Sequence, residues 1–216
     1  MRDYYEELWA GLPDDLHPPD LAVRRAFALA HIATGDRVLD LGCGIGDLTA
    51  ELATATTGPR VDAGPGAGPT TATGPAPIGV EVAQAAVTRA RSRHPQLEFR
   101  LAPIDGPIPA PDGSFDVVWS SEVIEHVADT GRWLSEIRRV LVPRGRLLLT
   151  TPDHGRLRLA VHGLERYSEP LGDHLHLYTA RSLRAVLGDF DFADIHVRAA
   201  AGPPGWRRLL LARAVR

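Results

Sequence analysis

Three groups of residues in this 216-residue sequence have types and spacings that can do chemistry. The first is Asp40–Gly46, an acid followed by Gly42, Gly44 and Gly46 at alternate positions around Cys43. Glycine in such a loop lets the backbone bend sharply and approach a ligand closely. An acid ahead of the glycines offers nothing to a phosphate, but it suits a ligand with an α-amino group. The second is Glu81, at the end of a short apolar run, where a carboxylate can accept both hydroxyls of a ribose. Together these two fit a nucleoside that carries a cationic amino-acid tail.

The third group is Glu122–His126, with Glu122, Glu125 and His126. On a helix, positions i, i+3 and i+4 share a face. Two carboxylates and an imidazole then converge as a divalent-cation site, with Mg²⁺ or Mn²⁺ as the ion. The same residues also suit a structural or general-base role, in which His126 bonds a neighbouring backbone and Glu122 caps its helix. The later stretch Asp173–Thr179 offers His174 as a further ligand. His174 and His176 alternate on an extended segment, so only one of them can face the site. His154 reads as a solvated loop histidine, with a place on the pocket lining as the alternative. The chain has no lysine, which excludes a lysine Schiff base and a lysine general base.

These residues need elements to position them. The run Arg37–Gly42 is apolar and stopped by glycine, as a buried parallel strand is. Ile78–Glu81, Leu97–Leu101, Phe115–Ser120 and Arg146–Thr151 read as further strands. Helices are expected over Asp3–Ala10, Asp20–Ile32, Asp47–Ala55 and Ala83–Arg93. Trp133, Leu134, Ile137, Val140 and Leu141 mark one face of another, broken at Pro143–Gly145. Thr179 caps a helix running to about Leu187, with Gly188 past its end. Phe192–Ala199 and Trp206–Ala214 close the chain as an antiparallel pair. Alternating strands and helices imply an α/β sheet covered on both faces. The segment 58–77 is rich in Gly, Pro, Thr and Ala without periodicity, and reads as a flexible insertion into one domain spanning 1–216.

Composition narrows the function classes. Hydrophobic residues at 44% and charged residues at 24% are those of an ordinary globular domain. A formal net charge of −3 argues against a nucleic-acid substrate. A single cysteine forbids an intrachain disulfide and fits the cytoplasm. No run approaches the ~20 apolar residues of a membrane span. Arg207, Arg208 and Arg213 read as a solvated strand edge or, more sharply, as a contact for a phosphate-bearing or glycan-linked substrate.

Taken in order, Val38–Gly46, Gly79–Glu81, Asp112–Val118, Glu122–His126 and Glu136–Pro152 resemble the class I S-adenosylmethionine-dependent methyltransferases, over about residues 30–200. The resemblance implies a Rossmann-like seven-stranded sheet of order 3-2-1-4-5-7-6 with strand 7 antiparallel. It implies that Asp40 lies near the methionine amino group, that Gly42, Cys43, Gly44 and Gly46 form the cofactor loop, and that Glu81 holds the ribose beside Val82. Relatives place an aspartate after strand three to bond the adenine amine. Here Pro103 or Ile104 stands there, with Asp105 one step on, so Ile104 packs on the ring and Asp105 or a backbone group makes the polar contact. Ser120 joins this set at the end of strand four. In related enzymes an N-terminal segment (residues 1–34 here, with Tyr4, Tyr5 and Trp9) closes over the cofactor; plain packing onto the domain is the alternative.

Glu122–His126 resembles the ubiquinone-pathway O-methyltransferases and, locally, the small-RNA 2′-O-methyltransferases, in which a later Asp-His matches His174. These resemblances imply S-adenosylmethionine as cofactor and O-methylation of a small hydroxylated metabolite, a phenol or a sugar. His126, His174 and Glu122 are then the catalytic candidates, and Glu122, Glu125, His126 and His174 the metal ligands. The alternatives are an N-methyltransferase, an RNA-end methyltransferase, or a non-catalytic S-adenosylmethionine-binding partner of another enzyme.

Overall fold

Alternation along short apolar strands sets the layers of the molecule. The computed structural model describes residues 2–13, 19–60, 70–155, 160–161 and 174–216. Strands β1 (Val38–Leu41), β2 (Ile78–Glu81), β3 (Glu98–Leu101), β4 (Phe115–Ser121) and β5 (Leu141–Pro152) pair in parallel. Strand β7 (Leu209–Val215) lies antiparallel to both β5 and β6 (Ala193–Ala200). The order is therefore β3-β2-β1-β4-β5-β7-β6, the order expected from the resemblance.

Leu39, Val118, Leu147, Leu149, Leu210 and Ala212 form one face of the sheet. They pack on Leu134 and Ile137 of α5 (Thr130–Val140) and on Leu183 and Leu187 of α6 (Ala180–Asp189). Their neighbours Val38, Val117, Trp119, Leu148, Leu209 and Leu211 point the other way. They meet Phe27 and Ala28 of α2 (Leu21–Leu29) and Leu52 of α3 (Asp47–Thr56). Helices α1 (Arg2–Gly11) and α4 (Gln84–Arg93) complete the set. No described helix is long and apolar enough to cross a membrane.

Several boundaries differ from the sequence reading. Pro143–Gly145 does not separate helix from strand: β5 starts at Leu141, opposite Phe115, and the register shifts beyond it where Arg144 takes φ 65. The turn is thus a kink inside a long strand. Thr179 and Ser182 form a reciprocal capping box, but α6 runs through Gly188 to Asp189. Helix α2 stops at Leu29, and β7 begins only at Leu209. In the insertion, residues 61–69 lie outside the described residues, whereas Pro59–Arg60 and Thr70–Thr73 pair as an antiparallel ribbon.

Candidate active site

A cavity of about 250 Å³ opens at the carboxyl ends of β1, β2 and β4. Ligands of open α/β sheets sit at this place, where the strand order reverses. Its first wall is made by the chain after β1 and β2. Gly42, at φ 82, lines the cavity, and a Cβ there would fall 2.3 Å from Val123 Cγ2. Gly44 is covered by Trp9 of α1, whose ring would lie 2.6 Å from an added Cβ. Gly46 backs onto Phe99, and Cys43 packs in the same cluster with Val87 and Ala90, so these two shape the loop from behind.

Glu81 is the polar centre of this wall. Its carboxylate accepts from the backbone N–H of Gly44 at 3.0 Å and of Val82 at 2.7 Å. Burial raises its pKa, and those amides oppose the rise by stabilising the anion. A carboxylate held this rigidly at a cavity wall is an acceptor for a diol. Asp40 is buried and takes a 2.6 Å bond from Thr49 Oγ1, behind the loop and off the cavity wall. Burial pushes its pKa up to about 7, and a cationic group brought beside it would lower that value. Ser120 is also off the wall: its hydroxyl donates to Leu41 O at 2.8 Å and ties β4 to β1. Val82, Pro103, Ile104 and Asp105 line the cavity, with Asp105 at φ 54.

Helix α1 roofs the cavity with Tyr5, Leu8 and Trp9. It is latched to α4, whose preceding cap residue Ala83 has no side-chain acceptor for the first amides. Glu6 supplies the cap from α1, accepting from the N–H of Gln84 at 2.7 Å and of Ala85 at 2.8 Å. Arg89 returns the contact by donating to Trp9 O at 2.6 Å. Tyr5 and Trp9 line the cavity while α1 also packs on α4, so the structure contains elements of both readings of the N-terminal aromatics; Tyr4 stays exposed.

The opposite wall follows β4. Glu122 does not share a helical face with Glu125 and His126. It takes φ 56, and only Ile124–His126 forms a single 3₁₀ turn. Glu122 lines the cavity, but its carboxylate turns to Arg24 Nη2 at 3.4 Å and Thr150 Oγ1 at 3.0 Å. Glu125 is fully buried and accepts from Thr151 Oγ1 at 2.9 Å. Burial first, and then the charge of Glu122, push its pKa up to about 8. Among the described residues its Oε1 accepts no hydrogen bond, and it lies 3.9 Å from His126 Nε2.

His126 lines the cavity and meets the edge of His174, with ring centroids 4.6 Å apart. Glu125 O accepts from the N–H groups of Leu175 and His176, which holds the 174–176 strap against the turn. His176 bonds Val127 O, so of the two alternating histidines His174 faces the site. Glu125, His126 and His174 each present a ligand atom within 4.8 Å of the others, whereas Glu122 is not in that group. Asp173 lies outside the described residues. His154 is buried, with its ring Nδ1 3.3 Å from Tyr178 O, and is not a solvated loop residue.

Sequence reasoning missed two sets of contributors. Arg24, Thr150 and Thr151 orient the two glutamates from distant elements. Asp129, Arg132 and Trp133 extend the cavity along α5. Trp133 packs against the core as its place on the apolar face implies, but it is only half-buried and also lines the cavity. Its place next to Arg132 and Asp129, at the polar start of the helix, was the available signal.

A family model described as a methyltransferase domain matches residues 16–197, most of the sheet and both walls of the cavity. The chain belongs to the methyltransferase-domain family. A probable S-adenosylmethionine-dependent methyltransferase of Mycolicibacterium smegmatis is 36% identical over 128 residues, 58% of this chain and 41% of that protein. The 27-O-demethylrifamycin SV methyltransferase of Amycolatopsis mediterranei is 30% identical over 131 residues, 58% of this chain and 42% of that protein. The matched part of the methyltransferase domain is thus less than half the length of these relatives. The crystal structure of an S-adenosylmethionine-dependent methyltransferase from Mesorhizobium loti superposes with a TM-score of 0.67 at 20% identity, covering 91% of this chain and 97% of that one. The domain is of the S-adenosylmethionine-dependent type.

Proposed function

We propose that this methyltransferase domain O-methylates a small hydroxylated metabolite, a phenol or a sugar. The observation that carries the reading is His126, which lines the cavity opposite Glu81 and is backed by Glu125 and His174, their ligand atoms all within 4.8 Å of one another. S-adenosylmethionine supplies an electrophilic methyl on a sulfonium with a good leaving group. Much of the rate then comes from alignment and from excluding water. Glu81 accepts the ribose hydroxyls, Val82 and Ile104 flank the base, and Tyr5, Leu8 and Trp9 exclude water from above.

A hydroxyl acceptor must also lose its proton, and His126 is the cavity-lining base placed to take it. His174 and Glu125 orient the imidazole of His126. The same three residues offer two imidazole nitrogens and one carboxylate, a donor set that suits Mn²⁺ or another transition ion better than Mg²⁺, which prefers oxygen. A cation held there would lower the pKa of a bound hydroxyl. The Amycolatopsis relative is named for O-methylation, which supports the same reading.

The test is methyl transfer to a panel of phenols, catechols, sugars and amines, with and without Mn²⁺. Turnover confined to hydroxyl acceptors is the expected result; turnover of amines alone overturns the reading.

A further inference from the structure

Away from the cleft, a second cavity of about 450 Å³ opens at the β6 edge of the sheet. Its lining is unusual in charge. Arg184 of α6, Arg198 of β6 and Arg213 of β7 meet there, with His196 and with His31 beyond the end of α2. The placement follows from strand periodicity. His196 and Arg198 are two apart on one strand, and Leu211 and Arg213 are two apart on the next. The register sets His196 opposite Arg213 and Arg198 opposite Leu211. Arg184 donates from Nη2 to Val197 O at 3.3 Å, a contact between α6 and the outermost strand.

No carboxylate is among the lining residues. Elsewhere arginines find acids, as Arg25 does with Glu51, Arg37 with Asp116, Arg139 with Glu136 and Arg208 with Asp20. Among the described residues, no ion pair joins Arg184, Arg198 or Arg213 to a carboxylate. Arg198 and Arg213 are diagonal neighbours across the strand pair, close enough for like charges to repel. Three of them around one cavity, in a chain of net charge −3, make a local field that a complementary anion relieves. The floor is apolar: Phe27 and Leu211 form it, and the Phe27 ring lies 4.7 Å from that of His31. His31 Nδ1 bonds Phe27 O at 2.8 Å, which fixes the imidazole in place.

We propose that this cavity binds a small molecule with an anionic oxygen group on a flat apolar body, at a site separate from the methyl-transfer cleft. The phosphate or carboxylate sits against Arg198 and Arg213, and the body rests on Phe27 and Leu211. Arginine suits this role because its planar fork pairs with two oxygens at once.

The experiment is calorimetric titration of phenyl phosphate, benzoate and inorganic phosphate into the full chain saturated with S-adenosylhomocysteine. The imidazole signals of His31 and His196 are followed by NMR to place the ligand. Expected are one site per chain, shifts of both histidines, and phenyl phosphate or benzoate binding about tenfold tighter than inorganic phosphate. Whichever of the two binds better tells a phosphate from a carboxylate source. In Arg198→Ala/Arg213→Ala, and in the Arg198→Gln/Arg213→Gln form that keeps the side-chain length, binding weakens at least about tenfold while the melting temperature holds. Absence of saturation at millimolar ligand, or unchanged binding in both variants, overturns the proposal. So does saturable binding of a single-stranded oligoribonucleotide through these arginines with no binding of either aromatic anion.

Discussion

The two walls of the cleft are built in different ways. The wall after β1 and β2 is made of backbone: glycines at positive φ, and a carboxylate whose position is set by the amides of Gly44 and Val82. The wall after β4 is made of side chains from several segments. Glu122 is aimed by Arg24 of α2 and Thr150 of β5, Glu125 by Thr151 of β5, and His126 meets His174 from a strap some fifty residues later. A wall of backbone recognises one fixed ligand, and a wall of side chains can be retuned by substitution. The first suits a common cofactor and the second a variable acceptor.

Substitutions can break or sharpen this contrast. The largest effect is expected from His126→Ala/His174→Ala, which should lower kcat on a true acceptor by about 10²–10⁴-fold with little change in cofactor affinity, as read by steady-state kinetics. Next is Gly42→Ala. It places a Cβ at φ 82 and 2.3 Å from Val123, and should cost about 1–3 kcal/mol in chemical denaturation. Glu6→Ala removes the cap that α1 lends to α4. It should cost about 0.5–2 kcal/mol and speed S-adenosylhomocysteine dissociation in stopped-flow fluorescence of Trp9.

A further effect is one of pH. Glu125 goes from an ordinary 4.5 to about 8 in the fold, so the native state holds a proton that the unfolded chain releases. Its contribution is complete below about pH 4.5 and is lost as the pH rises toward 8. Asp40, pushed up to about 7, acts with the same sign. Melting temperature should therefore fall across this range, and Glu125→Gln should flatten part of the slope.

The same contrast decides what could be read in advance. The individual strands, the glycine loop and the position of Glu81 at a strand end are legible because each depends on a few adjacent residues: an apolar run, a turn that only glycine can make, an acid where the run stops. The strand order came from the family resemblance, not from local pattern. Glu122 was misjudged because its spacing from Glu125 suggested a helical face, whereas its backbone took φ 56 and its charge found Arg24 nearly a hundred residues away. No local rule carries that pairing. His154 was read as solvated for the same reason: Tyr178, which covers it, lies across the fold. Pro143–Gly145 signalled a turn correctly, but tertiary pairing with β4 absorbed that turn into a strand.

The division of labour between the walls is tested most directly by calorimetric titration of S-adenosylhomocysteine into three proteins: the native chain, Glu81→Gln, and His126→Ala/His174→Ala. Glu81→Gln should bind about ten- to a hundredfold more weakly, because on the proposed function it loses the charged hydrogen bonds to the ribose, while the double histidine variant binds as the native chain does. Native affinity in Glu81→Gln, or an equal loss in the histidine variant, would contradict the separation of a cofactor wall from an acceptor wall.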